Sequence, residues 1–221
     1  MAPLRLLSSM GISDKDDAFM NQFRCPTGVQ GRTVAELMNQ QHDALSNWGL
    51  SHIQIKPDFV VLDVGCGGGK TIGKLARQAS QGLVVGIDYS KDMVKYSKEQ
   101  NQQLDKEGRI GLAQASVEKL CFPDDFFDLV TAIETYYFWP NVQTAFKEIR
   151  RVLKPRGKLL IVSEMVKDGK YEVENAETVA KTSVRLLSLM EIENLLASAN
   201  FDVKVSKKSD SVWNTVIATK I

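Results

Sequence analysis

The chain has 221 residues, 43% of them hydrophobic and 25% charged, with a formal net charge of +1. That length holds one domain, or one domain with a small attachment. The near-neutral balance excludes a nucleic-acid binder that works through a basic footprint, and no apolar run approaches a membrane span. Cys25, Cys66 and Cys121 are too widely spaced to form a metal-ligand or redox pair, so reduced thiols are expected and no metal is implied. Residues 1–10 are too short for a signal-peptide core and turn charged at Asp14-Lys15-Asp16-Asp17, which predicts a cytoplasmic protein.

In chain order, residues 1–24 have weak periodicity and read as an arm or a short helix. Pro26, Gly28 and Gly31 mark residues 24–31 as a turn cluster. A helix is predicted over 32–48, with Val34, Leu37, Met38, Leu45 and Trp48 on one stripe. Residues 1–50 thus read as an arm and a lid helix, and residues 51–221 as the main domain. Strand and helix then alternate: strand 59–64, helix 70–80, strand 83–88, helix 91–105 capped by Ser90, strand 110–115 and strand 127–133. The helix over 142–153 has the cleanest pattern, carried by Val142, Ala145, Phe146, Ile149, Val152 and Leu153. Pro155-Arg156-Gly157 ends it, and strand 158–163 follows.

Such alternation predicts a parallel sheet covered on both faces. The last third changes pattern. Ser188 and Glu191 form a capping box for a helix to residue 199. Strands 201–207 and 212–220 are joined by a tight link, which makes them an antiparallel hairpin at one side of the sheet.

The richest segment is Val60-Val61-Leu62-Asp63-Val64-Gly65-Cys66-Gly67-Gly68-Gly69, a strand breaking into glycines before a helix. Such a turn lets a ligand approach the backbone and aims a helix N-terminus at it. Gly69-Lys70-Thr71 suggests a P-loop, but that motif needs glycine where Val64 stands. A dinucleotide turn would have its third glycine at Lys70. Asp88, at the carboxyl end of the neighbouring strand, can accept both hydroxyls of a ribose and suits an adenosine-type ligand.

Four segments together resemble the class I S-adenosylmethionine-dependent methyltransferases. They are residues 61–69, Val85-Gly86-Ile87-Asp88-Tyr89-Ser90-Lys91-Asp92-Met93, residues 115–130, and Glu148-Ile149-Arg150-Arg151-Val152-Leu153-Lys154-Pro155-Arg156-Gly157. The likeness covers about residues 58–165 and includes the quinone-biosynthesis methyltransferases and other small-molecule enzymes. It implies a Rossmann-like fold: a seven-stranded, mostly parallel sheet with one antiparallel strand near the edge, helices on both faces and an N-terminal helical lid. Three departures stand out. Ser116-Val117 replaces a usual Asp-Ala, Cys121 replaces a usual proline, and Arg156 stands where glycine is common.

The resemblance implies the cofactor S-adenosylmethionine, product S-adenosylhomocysteine, and a small-molecule methyl acceptor, with no nucleic-acid partner and a monomer or homodimer. On that reading Asp63 orients the loop or the cofactor's amino group, and the backbones of Gly65, Cys66 and Gly67 meet its methionine part. Asp88 binds the ribose. Tyr89 and Met93 flank the adenine, Val117 lines its pocket, and Ser116 reaches its polar edge. Glu134 stands near the methionine end.

Methyl transfer from a sulfonium is an in-line displacement, so positioning is the protein's main task. The stretch Glu134-Thr135-Tyr136-Tyr137-Phe138-Trp139-Pro140, at a strand's carboxyl end, reads as an acceptor wall, or in part as rings packed under a lid. Tyr136 and Tyr137 could position or deprotonate an acceptor. His42 lies opposite its helix's apolar stripe, which predicts a solvated side chain, or a general base on a closing lid. Arg32 fits an acidic group of substrate or cofactor equally well as a surface position. Residues 164–187 are a second lid segment. A non-catalytic S-adenosylmethionine-binding module and an NAD-dependent oxidoreductase stay open as alternatives.

Overall fold

The computed structural model describes residues 17–167, 179 and 184–221. Its centre is one seven-stranded sheet in the order β3-β2-β1-β4-β5-β7-β6. The strands are β1 (Val60–Val64), β2 (Leu83–Asp88), β3 (Ile110–Gln114), β4 (Phe127–Ile133), β5 (Leu153–Ser163), β6 (Phe201–Lys207) and β7 (Asn214–Lys220). β1 to β5 pair in parallel, and β7 runs antiparallel to both β5 and β6. Thus β7 is the one reversed strand, set one place in from the edge as the hairpin pattern implies. No helix among the described residues is long and apolar enough to cross a membrane.

The helices are α1 (Asp17–Arg24), α2 (Gly28–Gln41), α3 (Asp43–Leu50), α4 (Lys70–Gln78), α5 (Lys91–Gln100), α6 (Gln102–Lys106), α7 (Val142–Val152) and α8 (Leu189–Ser198). Side chains alternate across β1 as strand geometry requires. Leu62 and Val64 join the core under α7 and α8, with Phe146, Ile149, Ile192 and Leu196. Val61 joins the opposite core with Leu45 and Leu50 of α3 and Ile72 and Leu75 of α4. Burying large aliphatic side chains on both faces contributes roughly 1.5–3 kcal/mol each.

Several boundaries differ from the sequence reading. The helix expected over 32–48 is two helices that break at His42, and the first begins at Gly28, inside the expected turn cluster. The helix expected over 91–105 is likewise split, at Asn101, whose amide side chain donates to the Gly69 and Ser97 carbonyls. β5 starts at Leu153, not Lys158, because Phe127 pairs with Leu153 before the register shifts around Pro155-Arg156-Gly157. Arg156 has φ +66°, which explains the glycine usual at that place; an L-residue there costs about 1 kcal/mol. β7 begins at Asn214, two residues later than expected. The capping box at Ser188 forms with both of its hydrogen bonds. Most of the second lid segment lies outside the described residues.

The N-terminal helices are fastened to the carboxyl side of the sheet. Gly28 donates its N–H to Asp92 at 2.7 Å, and Ser90 donates its hydroxyl to the Pro26 carbonyl. Ala35 of α2 packs with Met93 and Tyr96 of α5. Lys74, buried on α4, donates to Ser46 Oγ and the Asp43 carbonyl of α3 and pairs with the Asp43 carboxylate.

Candidate active site

A cavity of about 230 Å³ opens at the carboxyl ends of β1, β2 and β4, where open α/β sheets bind ligands. Its floor is the glycine turn. Gly65 and Gly69 have φ of +73° and +79°, and Gly65 packs so closely on Thr135 that a Cβ would lie 2.3 Å from Oγ1. Gly67 has φ +48° with nothing within 4 Å of a built Cβ, so its bare face fronts open space. Gly65 and Cys66 both donate N–H to the Ile87 carbonyl, which ties the turn to the end of β2.

Asp88 completes that end. One carboxylate oxygen accepts from Gly67 N–H at 2.9 Å and the other from Ser90 N–H at 2.8 Å. Burial raises its pKa, opposed by these backbone N–H bonds, which favour the charged form. Each oxygen keeps acceptor capacity for a ligand. Asp88, Tyr89, Met93, Ser116 and Val117 all line the cavity, with Tyr89 70% exposed and Met93 fully buried. Ser116 Oγ accepts from Glu118 N–H at 3.3 Å, so its hydroxyl hydrogen is left to donate elsewhere. The Cys66 thiol is buried and its pKa lies well above the usual value, first through burial and then through Asp88 and Asp63. That thiol is inert, and the contact available at Cys66 is its backbone.

Asp63 does not line this cavity. Its carboxylate is buried and accepts from Thr131 Oγ1 at 2.6 Å. Strand alternation turns Asp63 toward the α3/α4 face, where it can reach a cofactor only by holding the turn that follows it. Burial pushes its pKa up to about 7.

The aromatic stretch after β4 divides in the same way. Phe138 and Trp139 line the cavity, whereas Tyr136 and Tyr137 do not. Tyr136 is fully buried and donates its hydroxyl to the Met165 carbonyl at 3.0 Å; burial holds its pKa far above the ordinary range. It is a core residue and cannot serve as a base. The Tyr137 hydroxyl donates to Glu134 Oε2 at 2.9 Å, so Tyr137 is tied to a residue of the cavity wall without lining it. Arg32 is also away from the cavity: it pairs with Glu99 and lies over the Tyr96 ring at 4.7 Å.

His42 is not solvated as its helical position suggests. The α2–α3 break places it in the cavity wall, with its side chain 19% exposed. Its Nε2 is 3.9 Å from Glu134 and 4.0 Å from Glu164, and desolvation lowers its pKa. Glu134, with φ +55°, accepts the Glu164 N–H at 2.6 Å, and burial together with the Glu164 carboxylate raises its pKa to about 8. Glu164 at the end of β5, Asn39 of α2 and Phe23 of α1 were not singled out in the sequence, and Met38 of α2 only as part of the apolar stripe. Asn39 presses on Gly68, where a Cβ would lie 2.3 Å from Nδ2. A polar residue one turn before His42 was the only available signal, since i and i+3 share a helix face.

A mostly parallel sheet with a reversed β7, whose glycine-rich first turn faces an acid at the end of the second strand across one cavity, is the arrangement expected of a class I S-adenosylmethionine-dependent methyltransferase. The comparisons agree. Residues 62–161 match the methyltransferase domain family. The sterol 4-C-methyltransferase strm-1 of Caenorhabditis elegans is 26% identical over 163 residues, covering 73% of this chain and 47% of that protein. Cycloartenol-C-24-methyltransferase of Arabidopsis thaliana is 34% identical over 123 residues, 56% of this chain and 36% of that protein. The ubiquinone/menaquinone biosynthesis C-methyltransferase UbiE of Paraburkholderia xenovorans is 31% identical over 122 residues, 55% of this chain and 49% of that protein. The chain thus spans between 36% and 49% of the length of these relatives. The structure of YcgJ from Bacillus subtilis superposes with a TM-score of 0.67 at 23% identity, covering 75% of this chain and 71% of that one. The Haloferax volcanii methyltransferase solved with Trm112 gives 0.74 at 18% identity, covering 84% and 92%. At such identities the structures speak for the fold alone. Residues 62–161 therefore resemble a methyltransferase domain, and the solved neighbours share the fold around it.

Proposed function

We propose that the protein transfers a methyl group from S-adenosylmethionine to a small-molecule acceptor held in the cavity between α2 and the Phe138–Trp139 wall. The observation that carries this reading is that one cavity joins the glycine turn and Asp88 to His42, Glu134, Phe138 and Trp139. The cofactor fits the residues present. Gly67 offers a bare backbone face, and Asp88 has free acceptor capacity beside it. Bound there, S-adenosylmethionine supplies a methyl group already activated by its sulfonium.

The chain's own residues then bind and align. Asp88 takes the ribose hydroxyls, Tyr89, Met93 and Val117 enclose the adenine, and Ser116 meets its polar edge. The backbones of Gly65, Cys66 and Gly67 meet the methionine part, and Asp63 holds their turn in place through β1. His42, Glu134 and Trp139 face the acceptor, with Tyr137 positioning Glu134. Helices α1 and α2 close the cavity as a lid, which excludes water from the reacting atoms. The formal net charge of +1 gives no overall basic balance for a nucleic-acid acceptor, which favours a small molecule. The names of the relatives, which cover sterols and quinones, agree with that class without choosing within it.

Calorimetric titration with S-adenosylmethionine, S-adenosylhomocysteine and NAD tests the reading. Both S-adenosyl ligands should bind, and Asp88→Ala should weaken them by about 1–3 kcal/mol, the scale of a charged hydrogen bond. NAD binding without S-adenosyl binding would overturn it. Cofactor binding with no methyl transferred to any of a panel of phenols, amines, thiols and enols would favour a non-catalytic module.

A further inference from the structure

We propose that His42, Glu134 and Glu164 form a binding site for a divalent transition-metal cation at the acceptor end of the cavity. Three separate elements meet there: the α2–α3 break, the end of β4 and the end of β5. Each supplies one potential ligand atom, and these atoms all lie within 4.8 Å of one another. His42 Nε2 stands 3.9 Å from Glu134 Oε2 and 4.0 Å from Glu164 Oε1. A transition metal sits about 2.1 Å from nitrogen and carboxylate oxygen, which sets neighbouring ligand atoms roughly 3–4 Å apart. Side-chain shifts of about half an ångström therefore close the site.

The donor set selects the kind of ion. One imidazole with two carboxylates suits Mn²⁺, Fe²⁺, Co²⁺ or Zn²⁺, whereas Mg²⁺ and Ca²⁺ prefer oxygen alone. Two carboxylates this close repel each other in a buried setting, and a divalent charge between them turns that repulsion into attraction.

Glu134 is already oriented as a ligand. The Tyr137 hydroxyl donates to Oε2 at 2.9 Å and the Glu164 N–H to Oε1 at 2.6 Å. Each oxygen keeps acceptor capacity beyond those bonds. Such outer partners are what fix a ligating carboxylate in working metal sites.

Three protein ligands leave coordination positions open, as sites that act on a bound molecule do. His42 and Glu134 line the cavity, so the open side faces the acceptor. A hydroxyl or enol oxygen is the acceptor group that would complete the coordination sphere. This consequence rests on the methyltransferase reading, but binding of the metal itself does not.

The test uses the untagged full chain, stripped with chelator and titrated with MnCl₂ without cofactor or acceptor. Calorimetry and the loss of the free Mn²⁺ electron-resonance signal report binding. One Mn²⁺ per chain is expected, weakened at least ten-fold by His42→Ala and by Glu164→Gln, and about ten-fold by Tyr137→Phe. S-adenosylhomocysteine is titrated into the same samples as a check on folding. Absence of Mn²⁺ binding in protein that binds S-adenosylhomocysteine would overturn the metal site alone. Binding unchanged in His42→Ala and Glu164→Gln would also overturn it. Mn²⁺ binding with those variant effects, in protein that binds no S-adenosyl ligand, would uphold the site and overturn the methyltransferase reading.

Discussion

Asp63→Asn isolates a buried carboxyl whose ionisation opposes folding. Asp63 is 2% exposed at the middle of the sheet, between β2 and β4. Burial raises its pKa from 3.8 to about 7, against the lowering effect of the Thr131 hydrogen bond. The folded chain therefore keeps this proton to higher pH than the unfolded chain does. Between pH 4 and 7 the unfolded state binds fewer protons than the folded one, so stability falls as pH rises. A shift of about three units corresponds to about 4 kcal/mol at 1.36 kcal/mol per unit. Asparagine can accept the same Thr131 hydrogen bond and does not titrate. Its buried NH₂ carries a penalty of about 1–3 kcal/mol, but that penalty is independent of pH. Urea unfolding of wild type and variant at five pH values from 4 to 8, at fixed ionic strength and without cofactor, reads the difference. The stability of the variant relative to wild type should rise by about 2–4 kcal/mol across that range. Parallel stability curves would refute the argument, because they would mean Asp63 titrates alike in both states.

Gly65→Ala combines a φ of +73° with a Cβ 2.3 Å from Thr135 Oγ1, so it should lower stability by about 2–4 kcal/mol and abolish S-adenosylhomocysteine binding by calorimetry. Gly67→Ala meets nothing within 4 Å and should cost only about 1 kcal/mol of stability, with its larger effect on ligand affinity. Lys74→Met removes the ammonium that joins Asp43 and Ser46 to α4; hydrogen exchange should show loss of protection confined first to α3, with global stability lower by about 1–3 kcal/mol. Ser188→Ala deletes the α8 cap and should lower the melting temperature by about 2–4 °C, equivalent to about 1 kcal/mol.

The cofactor half of the site was readable because it is local. Asp63 to Gly69 is one strand and its turn, and Asp88 follows one helix later. Such short-range units carry their geometry in residue type: β-branched runs make strands, and glycine supplies positive φ. The alternation that predicted the parallel strands is local too, as is the hairpin that predicts β7 reversed. The end of the cavity around His42 is assembled from distant pieces. His42, Glu134 and Glu164 come from three elements, and no window of sequence contains any two of them. Periodicity also misplaced His42. The stripe was counted along one uninterrupted helix, and the break after Gln41 rotates everything beyond it. Tyr136 and Tyr137 are adjacent aromatics, yet the short 3₁₀ turn over Tyr136–Phe138 sends one into the core and the other to Glu134. Residue type alone does not distinguish those fates.

The backbone at Glu134 holds a buried carboxylate in a costly conformation, as the proposed role of this residue would require. With φ +55° it occupies the left-handed region, which costs a non-glycine residue about 1 kcal/mol or more. Glycine would relieve that cost at the end of β4, and burial of the carboxylate adds a second one. Packing offers no compensation, since a carboxylate contributes little apolar area. The two hydrogen bonds it accepts offset part of the desolvation, but they come from Tyr137 and Glu164, groups gathered at the same spot. Strain and burial at one residue, beside His42 and facing the cavity, are the pattern of a working site held by a rigid sheet end. On the proposed reading, the acceptor is met where β4 and β5 end beneath the α2–α3 break, and the glycine turn holds the methyl donor.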